Sequence, residues 1–191
     1  MKKIMFSDRY GLTQAVIERR KTMARHIINP NSTSSDVTVR IFAGYIQIIG
    51  RSGNVCDERK LPYKVGDVVA VAQNYSSFYN ILDNTMPIPE GAGWDNKMFV
   101  RADLMPHQIR ITGIKCERLQ DISNTDCLKE GIRQAYAESI LGMYGYIDHK
   151  GTGLWFNTPR EAFASLIDKV SGKGTWASNP WVVAYEFELV K

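Results

Sequence analysis

The order of strand-forming and helix-forming segments constrains the fold of this chain more than any other feature. Strand signals dominate residues 37–118 and return at residues 180–190, whereas helical signals are confined to residues 12–20, 123–141 and 158–170. Because the strands follow one another without crossover helices, this order favours an α+β protein with a largely antiparallel sheet. We expect residues 37–118 and 180–190 to build one curved, barrel-like sheet that the last strand closes.

Residues 108–118 carry the clearest strand pattern. Apolar and polar side chains alternate there, which places Ile109 and Ile111 on one face and Thr112 and Ile114 on the other. β-branched or apolar patterns predict the remaining strands, at residues 37–49, 65–73 and 97–102. Residues 50–62 and 142–153 are rich in polar residues or glycine, and we expect them to be connections.

The two later helices have explicit start signals. Thr158, Pro159 and Glu161 have the spacing of a capping box with proline at the first helical position. Ser123 is expected to cap a helix that continues to about residue 141. Residues 74–96 form a long insertion in the strand region, and loops of that length are usually functional or mobile.

Length and composition indicate one soluble domain. The chain has 191 residues, of which 44% are hydrophobic and 23% charged, so we expect residues 1–191 to form a single domain. No apolar run approaches the roughly 20 residues of a membrane span, and no signal peptide is recognisable, which predicts a cytoplasmic protein without membrane partners. Three widely spaced cysteines and three scattered histidines predict reduced thiols, no metal and no cofactor.

Positive charge is concentrated near the N-terminus. Residues 1–64 contain 12 Lys and Arg against 5 Asp and Glu, whereas the rest of the chain contains 12 against 15. A basic region of this kind suits an anionic partner such as nucleic acid. It suits equally well a solvated surface that keeps the protein soluble.

Residues 18–26 are chemically the most informative segment. They combine four cations with a hydroxyl and an imidazole: Arg19, Arg20, Lys21, Arg25, Thr22 and His26. The segment follows a short amphipathic run, so we interpret it as a cationic turn at the end of a helix. Such a turn can hold a phosphate, a carboxylate or an electron-rich base.

Several segments resemble ASCH domains, which belong to the PUA-like superfamily. The lysine-threonine signature at residues 21–22 is followed, in the family's order, by similar segments at residues 64–68, 117–132 and 179–187. Residues 159–176 are similar to the larger phage- and prophage-associated bacterial members. The resemblance implies a PUA-like curved antiparallel or mixed β-barrel with flanking helices. It also implies a cleft where the opening signature meets the acidic helix.

Some small members of that family are amidohydrolases that remove acyl groups from the exocyclic amine of cytidine derivatives. The resemblance places Lys21 and Glu130 at their catalytic lysine and glutamate, and it predicts that both converge with Arg25 on one cleft. The catalytic threonine position holds Ala24, which has no hydroxyl, and Thr22 falls at a different position of the motif. The expected ligand contacts are Arg20, Lys21, Thr22, Arg25, His26 and Glu130.

These residues also have structural interpretations. Lys21 and Glu130 can form a surface ion pair of little energetic value, and Arg25 can tie the turn to carbonyls or to Asp67. Thr22 is expected to be structural rather than catalytic. Most aromatic residues of such strands belong to the core, so at most one of four is expected in the cleft: Trp155, Trp176, Trp181 or Tyr185.

The sequence therefore leaves three functions open. The first is binding of RNA, a nucleotide or a modified nucleobase in a basic cleft. The second is an amidohydrolase acting on an N4-acylated cytidine-type nucleoside, which Lys21 and Glu130 favour and Ala24 opposes. The third is a phage or mobile-element accessory protein that acts through protein contacts, with residues 74–96 as the contacting loop.

Overall fold

The computed structural model describes residues 1–28, 37–79 and 91–191, and these form a mixed α+β structure rich in strands. The strands are β1 (Lys3–Ile4), β2 (Met23–Ile27), β3 (Thr38–Phe42), β4 (Tyr45–Ile49), β5 (Val55–Lys60), β6 (Val68–Val71), β7 (Gln108–Arg118), β8 (Arg133–Gln134), β9 (Tyr144–Ile147), β10 (Gly153–Phe156) and β11 (Trp181–Leu189). The α-helices are α1 (Leu12–Ile17), α2 (Asn124–Lys129), α3 (Pro159–Ser171) and α4 (Thr175–Ser178). No helix in the described ranges has the length and apolar character needed to cross a bilayer.

The described strands form three sheets. The main sheet has the order β1-β6-β7-β11-β2, with β1 parallel to β6 and the other pairs antiparallel. Strands β3, β4 and β5 form an antiparallel meander, and β8, β9 and β10 form a second small antiparallel sheet. The expectation of one barrel-like sheet from residues 37–118 and 180–190 is therefore wrong. Strand β11 joins β7 to β2, and no closed barrel is found among the described strands.

A β-bulge in β7 changes the face on which its second half lies. Glu186 of β11 is opposite Gly113 and Phe187 is opposite Ile111, so Thr112 has no partner residue. Ile109 and Ile111 are fully buried, as the alternating pattern predicts. The extra residue reverses the alternation after it, because each later side chain is shifted to the other face.

The bulge therefore corrects the predicted position of Ile114. Ile114 is opposite Tyr185 in β11, on the same face as Ile111, and packs against the main core. The sequence pattern placed it on the other face. Lys115 and Glu117 take that other face, opposite Ala184 and Val182.

Four further expectations about elements are wrong, each for a local reason. Residues 50–62 contain β5, whose polar side chains suit an exposed strand of the meander. Residues 142–153 contribute to β9 and β10, where glycine is tolerated inside strands. The helix that Ser123 caps ends at Lys129, because Gly131 takes a left-handed φ of 103°. Residues 97–102 hold 3₁₀ turns instead of a strand.

Helix α3 and the main core agree with the sequence patterns. Thr158 and Glu161 form the predicted capping box, and Pro159 begins the helix. The buried face of α3 joins the core of the main sheet through Phe163 and Leu166. In the predicted insertion at residues 74–96, residues 80–90 lie outside the described part of the chain.

Candidate functional site

The turn after α1 directs Lys21 into the protein. The backbone N–H groups of Arg20 and Lys21 both donate to the Ala15 carbonyl at 2.9 Å, and Arg19 adopts a φ of 59°. This arrangement ends α1 and reverses the chain before β2 begins. Lys21 is consequently only 4% exposed, whereas Arg19 remains at the surface. The cationic turn predicted for residues 18–26 is thus shorter than expected, since its second half is β2.

Glu130 meets Lys21 from the end of α2. The Lys21 ammonium donates to Glu130 Oε2 at 2.6 Å and to the Glu130 carbonyl oxygen at 2.9 Å. Glu130 is 4% exposed, so this is a buried pair and not the surface pair of the structural interpretation. Gly131 lies beside it, where an added Cβ would be 3.6 Å from the Lys21 Cβ.

Arg25 binds the same carboxylate and two others. Its Nη1 donates to Glu130 Oε1 at 2.8 Å, and its Nη2 donates to Glu117 Oε1 at 2.6 Å and to Asp126 Oδ2 at 3.2 Å. The predicted convergence of Lys21, Arg25 and Glu130 is thus present in the structure. The interpretation that Arg25 contacts Asp67 is wrong, because the Asp67 carboxylate is bonded to other groups.

Lys115 completes a balanced set of charges. Its ammonium lies 2.9 Å from Asp126 Oδ2 and 3.0 Å from Glu117 Oε2. The resulting set of three cations and three carboxylates is called the ion network here: Lys21, Arg25, Lys115, Glu117, Asp126 and Glu130. Each buried charge has an opposite charge beside it, so the network presents no excess of positive charge to a ligand.

Burial shifts the protonation equilibria of the cationic groups. Burial lowers the pKa of Lys21 below its ordinary value, although the Glu130 carboxylate opposes the shift. Burial also opposes the charge on Arg25, but Glu130 and Glu117 outweigh it and raise the Arg25 pKa. Burial lowers the pKa of His26, so its imidazole is neutral near pH 7.

A cavity of about 160 Å³ opens beside the ion network. Its polar wall is formed by Lys21, Arg25, Glu130 and the ring of His26, and Ala24 also lines it. The other walls of the cavity are apolar and come from the N-terminal segment, α1 and α3: Met5, Phe6, Leu12, Phe163, Leu166, Ile167 and Val170. The cavity thus combines a short charged edge with apolar walls, which is the usual composition of a small-molecule site.

The aromatic residues of the cavity are not those considered from the sequence. Trp155, Trp176, Trp181 and Tyr185 are all absent from its lining. Phe6 and Phe163 take that place, and their ring centroids lie 5.7 Å from Lys21 Nζ and 5.9 Å from Arg25 Cζ. These distances suit cation–π contacts, which bring aromatic rings and buried cations together.

Two of the expected ligand contacts lie outside the cavity. Thr22 acts through its backbone: its N–H donates to the Lys129 carbonyl at 2.8 Å, and its carbonyl accepts from the Phe187 N–H at 2.9 Å. Arg20 lines a separate groove and donates to Glu18 at 2.7 Å. Four other expected contacts line the cavity together: Lys21, Arg25, His26 and Glu130.

Sequence reasoning missed Glu117 and Asp126 as members of the network. Glu117 was part of the segment similar to ASCH domains, but the undisturbed alternation of residues 108–118 gave no sign that the bulge would aim it at Arg25. Asp126 lies three residues after Ser123, and its backbone N–H donates to the Ser123 hydroxyl that caps α2. Its carboxylate points instead to Arg25 and Lys115.

Comparison with known proteins adds no further constraint. No protein-family model, no curated protein and no solved structure matches this chain. In the described ranges, no group of His, Cys, Asp and Glu side chains is arranged to hold a metal ion.

Proposed function

We propose that the cavity beside the ion network binds a single pyrimidine nucleobase bearing an exocyclic amine, of the cytosine type. The observation that carries the proposal is the combination of cavity size and polar edge. A cavity of about 150 Å³ can hold one benzene ring, and this one has a volume of about 160 Å³. It therefore suits one six-membered heterocycle.

The polar edge offers complementary hydrogen bonds to such a base. The Glu130 carboxylate has about four acceptor positions, and Lys21 and Arg25 use one oxygen each. The remaining positions can accept from an exocyclic amine. One Lys21 N–H is left after its two bonds to Glu130, and it can donate to a ring carbonyl.

The balance of charges favours a neutral ligand over a phosphate in the cavity. Lys21 and Arg25 already have carboxylate partners at 2.6–2.8 Å. A phosphate would compete with these carboxylates for the same cations, whereas a neutral base can use the unoccupied donor and acceptor positions. The rings of Phe6 and Phe163 supply apolar surface for the faces of the heterocycle.

Calorimetric titration with cytidine, uridine and adenosine tests the proposal. We expect cytidine to bind more tightly than uridine, since uridine would direct a carbonyl oxygen at the Glu130 carboxylate. Glu130→Gln should weaken cytidine binding at least about tenfold, as expected for a hydrogen bond to a charged group. Glu117→Gln is the matched control, because Glu117 belongs to the same ion network but does not line the cavity.

Two results would contradict the proposal. One is wild-type protein that binds none of the three nucleosides. The other is equal weakening by Glu130→Gln and Glu117→Gln, which would mean that the substitutions act through the stability of the network.

One observation favours an amidohydrolase as a second candidate. Burial lowers the pKa of Lys21, and a lysine with a depressed pKa can remove a proton from an attacking hydroxyl. The hydroxyl is missing, because Ala24 lines the cavity at that point. Ala24→Thr would supply one. Its oxygen would attack the acyl carbon as Lys21 takes the hydroxyl proton, the exocyclic amine would leave with that proton as the C–N bond breaks, and water would then hydrolyse the threonyl ester.

Turnover of an N4-acylated cytidine separates this candidate from binding alone. We expect little turnover by the wild-type protein and a gain of about 10³-fold or more in Ala24→Thr, given what loss of a nucleophile costs in other enzymes. Ready turnover by the wild type that survives Thr22→Ala would show that water is the attacking group. Absence of turnover in both forms, with cytidine binding retained, would leave binding as the function.

Membership of the ASCH group of PUA-like proteins is part of the same proposal, as is a cytoplasmic location. What supports the relationship is the order of the similar sequence segments and the meeting of Lys21 with Glu130. The main sheet, with the buried faces of α1 and α3 in its core, would correspond to the PUA-like core.

A further inference from the structure

A second, larger depression lies beside the cavity. It has a volume of about 480 Å³, and we call it the Arg133 groove. Its principal lining residues are Arg20, Ile132, Arg133, Tyr136, Ile147 and Trp155. Arg133, Tyr136 and Trp155 belong neither to the ion network nor to the lining of the cavity.

Two lining residues of the groove, Arg133 and Trp155, belong to one row across the small sheet. Arg133 of β8 is opposite Gly145 of β9, and Gly145 is opposite Trp155 of β10. Residues directly opposite one another share a face, so the guanidinium and the indole stand on the same side. The backbones of Arg133 and Trp155 are two strand spacings apart, which is about 10 Å. Gly145 on the strand between them has no side chain.

Glycine is required beside the indole. An added Cβ at Gly145 would overlap the Leu154 carbonyl oxygen and lie 2.8 Å from the Trp155 ring. An added Cβ at Gly153 would overlap the Nε1 atom of the same ring. The two glycines thus let Trp155 lie close against the sheet with part of its ring accessible. Tyr136, which is 87% exposed, supplies a second ring at the groove.

The groove has uncompensated positive charge, unlike the cavity. Arg20 and Arg133 both line it, and Glu18 is the carboxylate that faces them. Glu18 Oε2 lies 2.6 Å from Arg20 Nη2 but 3.9 Å from Arg133 Nη2. Among the described residues Arg133 has no closer anionic partner. Burial and the neighbouring Arg20 both lower the pKa of Arg133, and the more distant Glu18 carboxylate opposes the shift without cancelling it.

The groove and the cavity have linings that adjoin along the chain. Arg20 lines the groove and the next residue, Lys21, lines the cavity. Glu130 lines the cavity, and Ile132 and Arg133 line the groove. Consecutive Cα atoms are about 3.8 Å apart, so the two linings meet at the Arg20–Lys21 peptide.

We propose that the Arg133 groove binds a single-stranded polynucleotide, with a phosphate on Arg133 and a base stacked on Trp155 and Tyr136. Aromatic faces next to a cation are the recurring means by which proteins hold single strands. The further step, that an adjoining base of the same strand enters the cavity, rests on the proposed function. Together they make the ligand a polynucleotide instead of a free nucleoside.

Fluorescence anisotropy with labelled pyrimidine-rich strands of about ten nucleotides, one RNA and one DNA, tests the groove. Arg133→Gln should weaken binding and reduce the slope of log affinity against log salt by about one, because one phosphate contact is lost. Tyr136→Ser should weaken binding about fivefold or more, the effect of losing one stacked base. Arg110→Gln and Phe99→Ser change an exposed arginine and an exposed ring elsewhere, and should have no effect.

The outcomes separate this proposal from the function of the cavity. If Arg133→Gln and Tyr136→Ser bind both strands as the controls do, the groove proposal is overturned, even where cytidine still binds the cavity. If the wild type binds neither strand, the groove proposal is also overturned, and an apolar protein segment becomes the better occupant. Strand binding that depends on Arg133 in a protein that ignores cytidine supports the groove and defeats the proposed function. Comparison of the RNA and DNA arms identifies which strand is preferred.

Discussion

Two glutamates of this protein are each placed between two cations, in opposite surroundings. Glu130 lies between Lys21 and Arg25 and is almost completely buried. Glu18 lies between Arg20 and Arg133, and 41% of its side chain is exposed. The two sites are adjacent in the sequence, because Arg20, which contacts Glu18, immediately precedes Lys21, which contacts Glu130.

The difference shows what burial does to the same set of charges. In the ion network, the buried charges of Lys21, Arg25 and Glu130 need their partners because water cannot replace them. In the Arg133 groove, water screens the charges, so a partner contributes little to stability and an incoming anion can displace it. The buried arrangement suits recognition of a neutral group by fixed donors and acceptors, and the exposed one suits attraction of a charged strand.

The largest expected effect compares Glu130→Ala with Glu18→Ala. Glu130→Ala leaves two cations buried without their shared partner, so the free energy of unfolding should fall by about 3–5 kcal/mol. Glu18→Ala removes a solvent-exposed partner and should cost about 1 kcal/mol or less. Urea unfolding of both variants measures the contrast. Equal effects would mean that burial does not distinguish the two sites.

The next expected effect concerns pH. Burial lowers the pKa of Lys21, so between its folded-state pKa and the ordinary value of 10.5 the unfolded chain holds more protons than the folded one. The free energy of unfolding should therefore rise with pH in that window, by at most about 1.4 kcal/mol per pH unit. Lys21→Met should remove this contribution.

Subtracting the unfolding free energy of Lys21→Met from that of the wild type separates the contribution of Lys21 from those of other titrating groups. Burial raises the pKa of Cys116 to about 11, and its effect above pH 9 is common to the wild type and Lys21→Met. The difference in unfolding free energy between the two proteins should shift in favour of the wild type as the pH rises towards the ordinary lysine pKa of 10.5. Lys173→Met, at an exposed position, serves as the control. A difference that stays constant with pH would contradict the assignment.

A smaller effect is expected for Glu18→Ala on strand binding. Removing this carboxylate leaves Arg20 and Arg133 without the nearest negative charge. Affinity for a single-stranded polynucleotide should rise about twofold to fivefold at low salt, and the gain should disappear at high salt. Weaker binding would indicate that Glu18 is needed to orient Arg20.

The smallest expected effect is that of Thr22→Ala. Thr22 connects α2 and β11 through its backbone N–H and carbonyl, which alanine retains. Stability should change by less than about 0.5 kcal/mol, and cytidine binding should be unchanged in calorimetric titration. A large loss of binding would place the Thr22 hydroxyl at the ligand.

The sequence predicted those elements whose boundaries are set by residues close by in the chain. The capping box of α3 and the buried half of β7 are of this kind, since Thr158, Pro159 and Ile109 carry the information themselves. Strands β5 and β8–β10 were missed, because their polar or glycine-rich sequences become strands only by pairing with partners.

The candidate site was predicted only in part. The meeting of Lys21, Arg25 and Glu130 was expected from the resemblance to ASCH domains, and chain distance gave no reason for it. The burial of the Lys21–Glu130 pair and the contact of Arg25 with Glu117 could not be predicted. Both depend on how β7 and β2 flank β11, and on an irregularity that leaves no mark in the alternation.

The unpaired Thr112 has a consequence for how this molecule could change. Deleting this one residue would make Ile111 and Gly113 neighbours opposite Phe187 and Glu186, so Lys115 and Glu117 would keep their face. If Thr112 instead paired with Glu186, each later residue of β7 would move to the other face, and Lys115 and Glu117 would be turned towards the core. Arg25 would then lose the Glu117 carboxylate, although no charged residue had been altered. The charged site therefore depends on which residue of β7 is left out of the pairing, at a position that contributes no side chain to it.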